Sequence, residues 1–86
     1  MDTAQQRAHL AEPAHDLEAR SFRTELRQTP GGPELVVTHP QVARLTEQIH
    51  VEDGTFRWSR GQAIAPVGDK LLAIRHVARV LSAVEG

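Results

Sequence analysis

The chain has 86 residues, enough for one small domain and too few to enclose a deep substrate cavity without sacrificing the packing that holds a fold together. Ten Lys and Arg stand against eleven Asp and Glu, so no bulk charge draws it to nucleic acid or to an anionic membrane surface. Cysteine is absent, which excludes disulfides and thiolate metal sites, and no apolar run approaches the ~20 residues of a membrane-spanning helix.

Residues 1–11 include Asp2, Gln5, Gln6, Arg7 and His9 and lack the apolar stretch of a signal peptide, so the expected location is the cytoplasm. Leu10, Ala14 and Leu17 form a narrow helical stripe within Asp2–Arg20. Pro13 interrupts it, and proline removes a backbone donor and crowds the preceding turn. The expectation is a frayed segment 1–11 and an ordered helical piece from Pro13 to Arg20.

Phe22–Gln28 alternates: Phe22, Thr24 and Leu26 point one way, Arg23, Glu25 and Arg27 the other. The run Thr29-Pro30-Gly31-Gly32-Pro33 is a strong turn signal, and Glu34–Thr38 returns as a second strand rich in β-formers. His39-Pro40 ends that hairpin, and Gln41–Thr46 fits either a loop or a short helix. From Leu45 the period is two again, with Leu45, Glu47, Ile49 and Val51 on one face. Asp53-Gly54 predicts a tight type I′ hairpin turn into a fourth strand, Thr55–Ser59, with Phe56 and Trp58 together. Gly61 breaks the run, Gln62–Ala65 is extended chain, and Pro66-Val67-Gly68 closes it.

Asp69 is placed to cap a last helix, Lys70–Val84. Its apolar arc holds Leu71, Ile74, Val77, Ala78, Val80, Leu81 and Val84. Arg75, His76, Arg79 and Ser82 lie opposite, with Leu72 as an aliphatic exception among them. Helix, two hairpins and helix predict an α+β fold in one domain: a two-layer sandwich of a four-stranded antiparallel sheet with both helices on one face.

Phe56-Arg57-Trp58-Ser59-Arg60-Gly61, then Ile64-Ala65-Pro66, Asp69 and the amphipathic helix containing Val77-Ala78-Arg79-Val80-Leu81, form a spaced pattern. It is similar to a group of short actinobacterial proteins that share an aromatic-x-Trp-Ser-x-Gly segment, Ile-Ala-Pro, an acidic residue and a terminal amphipathic helix. The resemblance covers about the last half of the chain and departs at Arg60, where many relatives carry a second aromatic. It implies a bacterial, cytosolic setting and brings no activity and no functional residue with it.

Catalytic chemistry finds little purchase. The five histidines (His9, His15, His39, His50, His76) lack ligand spacing and are expected to be surface imidazoles, so no metal is assigned. Asp53 and Asp69 have turn and capping roles, Glu52 flanks the turn, and Glu47 shares the face of Ile49 and Val51, which calls for an edge position or an arginine partner. Ser21, Ser59 and Ser82 have no nucleophile setting, and the glycine pairs lack phosphate-loop spacing, so no catalytic residue and no cofactor is assigned.

Two surfaces remain. Trp58 with Arg57 and Arg60 could stack bases, though the alternation puts Trp58 in the core with Phe56 and turns Arg57 outward beside Arg23 and Arg27. Leu72 with Arg75, His76 and Arg79 has the composition of a contact spot. The sequence therefore reads as a non-enzymatic protein-interaction module, binding another protein or itself as a homodimer through its open sheet face or edge. The alternative is single-stranded nucleic-acid binding through Trp58 with Arg23, Arg27, Arg57 and Arg60. A small enzyme with a pocket formed only on dimerisation ranks third.

Overall fold

In the computed structural model, which describes residues 2–82, the chain runs α1 (Thr3–Ala19), β1 (Arg23–Thr29), β2 (Gly32–Thr38), β3 (Thr46–Glu52), β4 (Thr55–Trp58), β5 (Ala63–Pro66) and α2 (Lys70–Ser82). The strands form one antiparallel meander in the order β1-β2-β3-β4-β5. The sheet thus has five strands where the sequence predicts four. The extra strand exists because the chain reverses after Trp58. Gly61 adopts a φ of 99°, its N–H donates to Trp58 O at 2.8 Å, and Trp58 N–H donates to Gln62 O at 2.9 Å. Such a turn brings Ala63–Pro66 back beside β4, with a register shift between Phe56 and Arg57.

Helix α1 is continuous from Thr3, including the segment expected to fray. Asp2 and Gln5 form a reciprocal cap: Gln5 N–H donates to Asp2 Oδ1 at 2.8 Å, and Asp2 N–H donates to Gln5 Oε1 at 3.4 Å. Pro13 lies inside the helix without ending it. Its ring is buried between Leu10 and Leu17, at i, i+3 and i+7, so packing offsets the missing backbone bond.

The Asp53-Gly54 turn has the expected positive φ angles, 55° and 70°. Residues 39–45 form a loop, closed by His39 N–H donating to Leu45 O at 2.9 Å and by Leu45 N–H donating to Val42 O at 2.9 Å. His39 itself is buried, its ring edge-on to Phe22 at 6.3 Å, with Nδ1 accepting from Gln41 N–H at 3.1 Å. The expected surface imidazole is at this position an organiser of the loop.

Both helices cover the same face of the sheet. Leu35 and Val37 (β2), Ile49 and Val51 (β3), and Phe56 and Trp58 (β4) join Leu10 and Leu17 of α1 and Ile74, Val77 and Leu81 of α2 in one core. Helix α1 lies over β1 to β3 and α2 over β5, and Lys70 Nζ bonds Asp16 Oδ2 at 3.2 Å between the helices. Asp69 caps α2, its Oδ1 accepting from Leu72 N–H at 3.2 Å. At its start α2 departs from the predicted arc: Leu71 is 66% exposed, whereas Leu72 is half-buried and packs against the core. Val84, assigned to the apolar arc, lies outside the described residues.

Candidate interaction surface

The nine residues singled out from sequence fall in three separate places. Arg23, Arg27 and Arg57 lie on the sheet face that no helix covers, as the alternation predicts. Trp58 lies on the opposite, core face and keeps only 6% of its surface exposed. Arg60 covers it there, its guanidinium carbon 5.4 Å from the ring centroid, while Arg60 Nη1 bonds Glu47 Oε1 at 3.1 Å. Glu47, a carboxylate on the core face, thus has the arginine partner that its position demands. Leu72, Arg75, His76 and Arg79 follow one another along the outer side of α2 and line a shallow depression of about 350 Å³.

On the open face the charges answer one another. Arg27 Nη2 bonds Glu34 Oε1 at 2.9 Å across the first hairpin. Glu52 Oε1 lies 3.8 Å from Arg57 Nε and 3.9 Å from His50 Nε2, and Arg57 Nη1 donates to Gly61 O at 3.0 Å. Val36 is the apolar exception, 8% exposed among Arg23, Glu25 and Thr38. Cross-strand pairs of this kind solvate a face and fix its register. Among the described residues no group of three His, Asp or Glu side chains could hold a metal ion. No described helix is long and apolar enough to cross a membrane.

The two edges of the sheet, β1 and β5, differ sharply. Successive residues in a strand send their N–H and C=O groups to opposite neighbours. Gln48 O accepts from Ser59 N–H at 3.0 Å, so Gln48, His50 and Glu52 bond toward β4, and Glu47, Ile49 and Val51 toward β2. The registers carry this alternation outward: Leu35 and Val37 bond toward β3, Glu34, Val36 and Thr38 toward β1, and Arg23, Glu25 and Arg27 toward β2.

Pro33 fits the same scheme. It stands where an amide would bond Val51 O; lacking one, it ends the β2–β3 ladder at Leu35–Ile49, and Gln6 Nε2 approaches Val51 O instead, at 3.5 Å. What is left over is the outer side of β1. The N–H and C=O groups of Thr24, Leu26 and Gln28 point away from the sheet, and no described residue bonds them. The opposite edge, β5, is four residues long, bulged against β4 and closed by Pro66, features that discourage further pairing.

Comparison with protein-family models, with curated proteins and with solved structures finds no match to this chain.

Proposed function

We propose that the chain is a non-enzymatic protein-interaction module that docks by adding a partner's strand to β1. The observation that carries this reading is the seven-residue β1 edge, free of proline and bulge, with Thr24, Leu26 and Gln28 directed outward. The open face is a weaker candidate, because Arg27, Arg57, His50, Glu34 and Glu52 already serve one another there. Binding of single-stranded nucleic acid is disfavoured: Trp58 is buried on the face opposite Arg23, Arg27 and Arg57, so no aromatic platform joins those arginines. The even charge and the lack of cysteine fit a cytoplasmic setting.

A photoreactive residue at Gln28, compared with one at Ala63 on β5, tests the reading in living cells. Protein adducts concentrated at position 28, and lost when Thr24→Pro is added, are the expected result. Equal labelling at both edges, or labelling indifferent to Thr24→Pro, would refute docking at β1.

A further inference from the structure

The partner of the edge can be specified further, on the premise that β1 is the docking edge. We propose that it is β1 of a second copy, paired antiparallel about a two-fold axis through Leu26.

The outward groups choose the axis. Thr24, Leu26 and Gln28 are symmetric about Leu26, so a two-fold there bonds Leu26 to its mate, Thr24 to Gln28 of the other copy, and Gln28 to Thr24. Every outward group of the strand is then used. A two-fold at Thr24 would set Gln28 against Arg20, outside the strand, and one at Gln28 would set Leu26 against Pro30, which has no amide.

Charge settles the remaining registers. With the axis at Leu26, Glu25 of each copy opposes Arg27 of the other, in the non-bonded positions where cross-strand side chains come closest. An axis at Glu25 would oppose Glu25 to Glu25 and Arg23 to Arg27, and one at Arg27 would oppose Arg27 to Arg27. Like charges facing across strands are destabilising. On the core face the half-buried Leu26 side chains would meet at the seam and extend the apolar layer from one copy into the next.

The helix layer agrees. Glu18 on α1 bonds the Thr24 hydroxyl, so that flank of the helix faces β1, while Asp16 turns the other flank to α2 through Lys70. At 100° per residue Arg7, Ala11 and Glu18 share the β1 flank, and all three are exposed. The same axis sets the two α1 helices antiparallel on either side of the seam. Arg7 and Glu18, toward opposite ends of that flank, are then set on the side of Glu18 and Arg7 of the other copy.

The test is sedimentation equilibrium of the full chain over a wide concentration range, with three variants. Wild type is expected to be a concentration-dependent dimer. Gln28→Pro blocks an outward amide and leaves the β1–β2 ladder intact, so it should give a folded monomer. Glu25→Arg and Arg27→Glu alone should each weaken self-association roughly tenfold or more, since two attractive pairs become repulsive. Mixed together they should associate one to one, because each opposed pair is again Arg with Glu; that restoration requires both variants to be folded. A wild-type chain that stays monomeric overturns self-pairing, as does a dimer indifferent to Gln28→Pro or a mixture that does not associate. A monomer that still gives β1-dependent adducts with another protein overturns the self-pairing while leaving the edge as the docking site.

Discussion

Arg60 covers the ring of Trp58, 5.4 Å from its centroid, and is held in place by Glu47 at 3.1 Å. An indole that ends the core is thereby shielded by a cation and a carboxylate in place of further apolar residues. Arg60→Ala should shift Trp58 emission to the red and lower stability by about 0.5–1 kcal/mol, the range of a partly solvated cation–π contact. Unchanged emission and an unchanged urea midpoint would show that the cover contributes nothing.

Leu71 and Ile74 stand in the same helix with opposite burial, 66% and 1% exposed. Ile74→Ala should cost about 2–5 kcal/mol, since it leaves a cavity at the centre of the helix–sheet contact. Leu71→Ala should stay within about 0.5 kcal/mol. Urea unfolding of the two variants checks the assignment; comparable losses would place Leu71 in the core after all.

Gly32 has a φ of 120°, a conformation that residues with a Cβ rarely adopt, and a Cβ there would meet Gln6 Oε1 at 3.5 Å. Gly32→Ala should cost roughly 1–3 kcal/mol. Gly31→Ala is the control, because its Cβ would find only Thr29 Oγ1, at 3.8 Å. Thermal melts of the pair should separate clearly, and coincident melts would count against the strain.

Gln6 and Pro33 should be coupled through the carbonyl of Val51. Gln6→Ala should cost about 0.5–1 kcal/mol in the natural sequence, where Pro33 offers no amide. In a Pro33→Ala background a backbone N–H can take the same carbonyl, and the cost should fall toward zero. A double-mutant cycle reads this directly. Additive losses would mean that the two residues do not share Val51 O.

Much of this architecture was legible because single residues decide it. Asp53-Gly54 forces the tight turn, Asp69 caps α2, and the alternation through Phe56 and Trp58 sets both on the core face. The fifth strand was hidden because Ile64 and Ala65 are both buried, so the period of two is lost beside the bulge. Leu71 was misplaced because it sits at the border of the apolar arc, where a helical wheel cannot tell solvent from neighbour. Helix α1 was underrated because its stripe is narrow and its buried proline is counted by any propensity scale as a breaker. The place of Arg23 and Arg27 on the uncovered sheet face was legible in the alternation, and the outward direction of the Thr24, Leu26 and Gln28 amides was not. Which way an amide points depends on strand order, and side-chain patterns carry no such information.

The inequality of the two edges limits how far such a sheet can grow. A subunit with two usable edges can add neighbours on both sides and continue without end. Here β5 is short, bulged and closed by Pro66, so a chain that docks through its sheet edges would have a valence of one. In the self-pairing proposed above, β1 would consume that valence, and assembly would terminate in a discrete complex with β5 at both outer margins. Under that proposal the proline that finishes β5 would separate a sheet that takes one partner from a sheet that polymerises.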